Sequence, residues 1–235
     1  MNMVLFEEGD FVGEDRVRLQ NRRLDHVRKV HRVSVGDELR VGVLGGRVGR
    51  GSVVQIDEKI LEMTIRLEAD PPAPIPVRLI LALPRPKVLN RVIAAASSMG
   101  VREIDLINSW RVEKSYWRSP RLSDENLRHQ SILGLELAGD TVLPAIKLHR
   151  LFTSFVREMS PQMIRRQLAL LADPGGQREV PRSVTQPVVL AIGPEGGFIQ
   201  REIDTLCEIG FAAVSLGPRI LRVETAIAYL LGRLF

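Results

Sequence analysis

Val188-Val189-Leu190-Ala191-Ile192-Gly193-Pro194-Glu195-Gly196-Gly197-Phe198 is the stretch on which the reading of this chain turns. Its five apolar residues predict a short strand buried on both faces, the habit of a parallel sheet. The Gly-Pro pair then stops the strand and forces a loop. The same order recurs on either side. Leu168 to Ala172 runs into Ala172-Asp173-Pro174-Gly175-Gly176, and Ala212 to Leu216 runs into Gly217-Pro218-Arg219. Ligands in open α/β sheets bind at the carboxyl edge of the strands, and glycine there lets them approach the backbone closely. Any one such loop more often makes a plain turn; three in succession point to a site.

Further upstream, strands continue to alternate with helices. Val77 to Leu83 reads as an apolar strand, Lys87 to Met99 as a helix ending at Gly100, and Glu103 to Asn108 as the next strand. Ser123, followed by Asp124 and Glu125, suits the N-cap of a helix reaching about Ala138. The fold expected from this order is an α/β domain with a mainly parallel sheet. Asp70-Pro71-Pro72-Ala73-Pro74-Ile75-Pro76 excludes helix and central strand, so it is read as the boundary between residues 1–72 and 73–235. Before it, Glu38 to Val43, Ser52 to Ile56 and Leu61 to Leu67 partly alternate between glycines, which predicts a small β-barrel.

With 235 residues, 45% of them hydrophobic, the chain can bury a sizeable core. The opening MNMVLFEEGDF lacks a basic n-region and no apolar run is long enough to span a bilayer, so a cytoplasmic protein away from membranes is expected. The single cysteine, Cys207, has no disulfide partner, and it reads as a small buried apolar residue. His26, His31, His129 and His149 show no metal-ligand spacing, so no metal is expected. A net charge of +5 and a pI near 9.9 suit an acidic partner such as nucleic acid. Residues 16–50 hold ten Lys or Arg against Asp25, Asp37 and Glu38, which makes Arg22, Arg23, Arg28 and Arg32 candidate phosphate contacts. The glycines from Gly42 to Gly51 lack the lysine of a phosphate loop and read as a hairpin turn. Trp110, Tyr116 and Trp117 suit either base stacking or burial near the sheet edge.

Two segments are specific enough to suggest a family. Ile192 to Phe198, and Ser215-Leu216-Gly217-Pro218-Arg219-Ile220-Leu221-Arg222-Val223-Glu224-Thr225-Ala226, each placed before a helix, closely resemble the RsmE family of SPOUT-class methyltransferases. The resemblance extends weakly over most of the chain, through His26 to Arg32 with Val35-Gly36-Asp37 and, more loosely, through Glu136-Leu137-Ala138-Gly139. It implies a PUA-like RNA-binding barrel ahead of an α/β domain with a C-terminal trefoil knot, S-adenosylmethionine as cofactor, a homodimer, and methylation of uridine N3 in small-subunit ribosomal RNA. Residues implied at the cofactor are Leu170, Ala172, Ile192, Gly193, Pro194, Gly197, Leu216, Gly217, Ile220, Leu221 and Thr225, with Arg219 at RNA or cofactor.

A sulfonium methyl donor is already activated, so the protein must chiefly align the reactants. Uridine N3 carries a proton and needs a base, or a cation to stabilise the developing anion. Arg222, Glu195 and Glu224 are the candidates; equally, Glu224 complements its helix dipole and Glu195 braces its loop. The chain departs from the family at Ser98, where glutamate is usual, and at Asp140, where arginine is common. Those departures leave open another RNA base or a ribose as the target, and a non-catalytic RNA-binding or ribosome-assembly factor is the alternative outside enzymes.

Overall fold

The computed structural model describes residues 2–31, 33–159, 164 and 166–235. They fall into two compact units. The first is Met1–Ala73 with Leu135–Leu143; the second is Pro74–Gly134 with Pro144–Phe235. The single boundary expected at the proline-rich segment is therefore corrected to a discontinuous division, because residues far along the chain bond back to the first unit. Asn2 donates its backbone N–H to the Glu136 carbonyl and its side-chain amide to that of Leu137. The Thr141 hydroxyl donates to the Gly46 carbonyl, and a Cβ on Gly42 would stand 2.7 Å from the Thr141 methyl.

In the first unit β1 (Val4–Phe6), β2 (Arg16–Gln20), β3 (Glu38–Val43), β4 (Val48–Ile56) and β5 (Ile60–Ala69) form a curled sheet in the order β1-β3-β4-β5-β2. β3 and β4 make the expected hairpin across the glycine-rich turn. Helix α1 (Asn21–His31) went unpredicted: it offers the core Leu24 and Val27 amid charged neighbours, too narrow an apolar stripe to stand out. The core of this unit gathers Phe6, Val17, Leu61 and Met63, all essentially inaccessible.

In the second unit β6 (Val77–Ala82), β7 (Glu103–Ile107), β8 (Ala145–His149), β9 (Leu168–Ala172), β10 (Arg178–Glu179), β11 (Val188–Ile192) and β12 (Ala212–Ser215) form a parallel sheet in the order β10-β12-β9-β11-β6-β7-β8. Every residue of β11 is buried, as its unbroken apolar run requires. Helix α2 (Pro86–Ser98) opens with proline at its first position and closes on Gly100 at φ 80°, with the Val101 N–H donating back to the Ala96 carbonyl. Helix α3 spans Asp124–Ala138, α4 Phe152–Glu158, α5 Gln200–Glu208 and α6 Val223–Leu234. α6 buries Val223, Ile227, Leu230 and Leu234 at helical spacing and packs on α2. β8, an edge strand with mostly exposed residues, carries too little apolar alternation to have been predicted.

One polar network crosses β6, β7 and β8. The buried Asp105 carboxylate accepts from Arg78 Nε at 2.6 Å and contacts His149 Nε2 at 2.7 Å, and it holds the Arg78 guanidinium more firmly protonated than usual. Removing one partner of a buried charge pair strands the other. Asp105→Ala should lose about 3 kcal/mol of unfolding free energy in a denaturant titration; an unchanged midpoint would show that Arg78 finds water instead.

Candidate active site

β9 lies between β12 and β11, all parallel, with Ala172 opposite Ile192 on one side and Val214 on the other. The loops that follow must therefore leave from the same edge. Together with the start of α6 they line an open cleft with about 600 Å³ of unfilled space, part of it open to solvent. Ala172, Ile192, Gly193, Pro194 and Gly197 line it from the first two loops. Leu216, Gly217, Ile220 and Leu221 line it from the third, with Glu195 and Arg219 also on the wall.

Two of the glycines are required by conformation. Gly197 has φ 71° and Gly217 φ 102°, a region other residues enter at a cost. Gly193 is required by space instead: a Cβ would sit 2.9 Å from the Phe198 backbone nitrogen, inside its own loop. Ile220 is 84% exposed, an uncovered apolar surface on the cleft wall.

Two of the expected cofactor residues stand elsewhere. Leu170 lies in the middle of β9, paired with Leu190 and Ala212 and buried, so it supports the cleft without lining it. Thr225 is exposed on α6, where the helix turns Val223 and Ala226 to the cleft instead. Asp173, which is not among the residues expected at the site, brings a carboxylate to the wall from the first loop. A carboxylate directly after a buried parallel strand is a signal that would have found it.

Glu195 accepts from the Arg85 backbone N–H at 3.0 Å. Arg85 is the N-cap of α2 and has no side-chain cap bond, so this carboxylate supplies an acceptor at a helix start where the backbone has none. Glu224 pairs with Arg91 at 3.3 Å and joins α6 to α2. Both glutamates thus have structural partners. Arg222 is the N-cap residue of α6, exposed, and forms no ion pair with a described carboxylate.

A second set of bonds holds the glycine loop from outside. Arg111 Nη1 donates to the Gly196 carbonyl. Glu202, buried in α5, accepts from the Trp110 N–H at 2.8 Å with one oxygen and from Ile199 N–H at 3.1 Å with the other. Glutamate at the third helical position is a capping signal in sequence. Its bond to Trp110 is not, because it joins residues remote in the chain.

The basic stretch of the first unit is largely paired. Arg23 turns to Asp10 at 2.9 Å and to the Leu5 carbonyl, so its charge already has a partner within the fold. Arg16 and Arg18 flank Glu62, and the Arg18 hydrogen bond holds that carboxyl below the ordinary carboxylate range. Arg50 pairs with Glu38, while Arg28 is exposed. Arg32 lies outside the described residues, as does the side chain of Arg22. Cys207 is corrected from buried to exposed; partial desolvation and the nearby Asp204 push its thiol up, away from nucleophilic form. Trp117 is buried with its indole N–H donated to Asn108, whereas Trp110 is open to solvent. Among the described residues no group of three or more His, Cys, Asp or Glu is arranged to hold a metal, and no helix is long and apolar enough to cross a membrane. Ser98 donates to Ala95 within α2, and Asp140 accepts from the Thr141 and Val142 N–H groups, so each departure from the family pattern is satisfied in its own neighbourhood.

A parallel sheet thus opens three glycine loops onto one cleft ahead of a C-terminal helix, and the class of protein built on it is an RNA methyltransferase. Residues 71–234 match the RNA methyltransferase domain model. The chain is 31% identical over 232 residues to Ribosomal RNA small subunit methyltransferase E of Treponema pallidum, covering 96% of this chain and 87% of that protein. The Mycobacterium tuberculosis protein of the same name is 28% identical over 218 residues, 88% of this chain and 81% of that one. In fold the chain resembles a ribosomal RNA small subunit methyltransferase E from Neisseria gonorrhoeae solved with S-adenosyl methionine (TM-score 0.73, 22% identity, 98% of this chain and 94% of that one). It also resembles a Legionella pneumophila methyltransferase solved with the same cofactor (TM-score 0.75, 24% identity, 98% and 95%). This chain belongs to the ribosomal RNA small subunit methyltransferase E family.

The bracing geometry of Glu195 can be separated from proton transfer. Glu195→Gln keeps an oxygen for the Arg85 N–H and should retain turnover within about threefold, whereas Glu195→Ala should lower the thermal midpoint by a few degrees, the usual scale for a lost cap of about 1 kcal/mol. A hundredfold loss of turnover in Glu195→Gln with unchanged stability would instead make the carboxylate the base.

Proposed function

We propose that this chain transfers a methyl group from S-adenosylmethionine to N3 of a uridine in small-subunit ribosomal RNA. The observation that carries the reading is the cleft itself: backbone from three loops, an apolar wall at Leu216, Ile220 and Leu221, and carboxylates at Asp173 and Glu195. The fit to the cofactor is chemical. The apolar wall suits an adenine, Asp173 suits ribose hydroxyls, and the glycine backbone at Gly193 and Gly197 suits close approach along the methionine side. When bound, S-adenosylmethionine supplies an electrophilic methyl group on a sulfonium that leaves without further activation.

The protein's own task is then to position the acceptor and ease the loss of its N3 proton. Arg222 is the side chain best suited to the second part: it stands at the head of α6 directly after the cleft residue Leu221, and its charge is free of any described carboxylate. A guanidinium there stabilises the anion that develops at the uridine as the proton leaves for solvent or a nearby carboxylate. Arg219, on the cleft wall, holds a phosphate or the cofactor carboxylate. We place the protein in the cytoplasm with its RNA substrate. The homodimer and the knotted chain end are part of the same reading, supported by the partial exposure of Tyr229 and Phe235 on and beyond α6 and by the path that carries β12 past β9 before α6 returns to α2.

Calorimetry with S-adenosylmethionine tests the donor, and mass spectrometry of small-subunit rRNA from a deletion strain and its parent tests the acceptor; an unchanged N3-methyluridine signal would defeat the uridine assignment. For Arg222→Ala turnover should fall more than tenfold while the cofactor Kd stays within about twofold, since removing one preorganised charge costs roughly 2–4 kcal/mol of barrier. Equal losses in both would reassign Arg222 to cofactor binding.

A further inference from the structure

Among the described residues Trp110 is the most exposed large apolar side chain outside the cleft, with 79% of its surface open. Its neighbour in sequence, Trp117, shows what a structural tryptophan looks like here: buried, with its indole N–H on Asn108. Trp110 has neither cover nor such a bond. A lone exposed aromatic is unremarkable by itself, but this one is anchored. Its backbone N–H is fixed by the buried Glu202, and the next residue, Arg111, donates to Gly196 in the loop that forms the cleft. The Trp110 backbone N–H and the side chain of the next residue are therefore tied to elements around the cleft while the ring stays in water.

The surrounding segment is cationic as well. Arg111, Lys114, Arg118 and Arg121 are all exposed, against a single acidic residue, Glu113, and none of the four forms an ion pair with a described carboxylate. In the first unit, by contrast, Arg16, Arg18, Arg23 and Arg50 are neutralised by partners in the fold. A solvent-facing indole flanked by cations that no described carboxylate neutralises is the pattern of single-stranded nucleic-acid contact, in which a base stacks on the ring and the cations follow the phosphates.

We propose that Trp110 is a stacking platform for a base of the RNA substrate, and that the segment Ser109–Leu122 guides the strand toward the cleft. The proposal rests on the RNA-substrate reading and adds a specific contact surface to it. Trp110 is a positioning residue: it touches the substrate strand and takes no part in methyl transfer.

The test uses the full chain with small-subunit rRNA isolated from a deletion strain. Trp110→Ala should raise the KM for RNA about tenfold, the scale of one lost base stack, with the cofactor Kd unchanged, and Trp110→Phe should restore most of the loss. RNA should also quench the tryptophan emission of the wild type, and Trp110→Phe should abolish that quench. An unchanged RNA KM in Trp110→Ala overturns the proposal. So does a parallel loss of cofactor affinity, which would make the ring a support for the glycine loop, or a changed sedimentation coefficient, which would place the ring at a contact between copies. If the wild type binds S-adenosylmethionine but no RNA, the RNA-substrate reading itself falls and the proposal with it, whereas intact wild-type RNA binding with an indifferent Trp110 removes the proposal alone.

Discussion

Parallel pairing of β12, β9 and β11 imposes a direction on everything that follows those strands. Antiparallel neighbours would send their loops to opposite edges; here Ala172, Ile192 and Ser215 all end on the same one, and three short loops converge without any long excursion of the chain. Burial on both faces drives that pairing, since the residues of β11 and most of β9 are apolar throughout and have no solvent face to prefer. The cleft is thus a consequence of strand direction and apolar content, with the glycines making the loops tight enough to form a wall.

A set of polar bonds then fixes the loops. Glu195 reaches to Arg85 at the start of α2, Arg111 reaches to Gly196, Glu202 holds Trp110, and Glu224 ties α6 to α2 through Arg91. Each joins a loop or helix end at the sheet edge to a rigid neighbour. Preorganisation of this kind suits a reaction whose donor is activated before it arrives, because alignment is then the protein's main contribution. It also accounts for how many charged side chains near the cleft have structural partners, with Arg219 and Arg222 forming no ion pair with a described carboxylate.

Much of this was legible in advance. Val188–Ile192 and Leu168–Ala172 were readable as strands with their observed ends, and Gly100 closes α2 where a helix stop was expected, because such signals lie within a few residues of the structure they specify. β1, β2 and β8 were not readable: each is short or mixed in character, and its identity as a strand depends on a partner elsewhere, Val41 for Val4 and Ile104 for Ile146. The fate of Arg23 was hidden for the same reason. A guanidinium in a basic run gives no sign of an internal partner until the fold brings Asp10 to within 2.9 Å of it.

From its residues alone this chain determined a parallel α/β domain, a proline-rich break before it, and loops whose glycines mark the cleft, since periodicity, proline geometry and positive φ are local properties of the backbone. Tertiary structure decided which loop residues form the wall, that Leu170 supports it from beneath and Thr225 points away, that Leu135–Leu143 belongs with the first unit, and which cations remain free. Those outcomes depend on pairings between residues distant in sequence: whether a charge is spent or available is set by what folding places beside it, and composition carries no record of that neighbour.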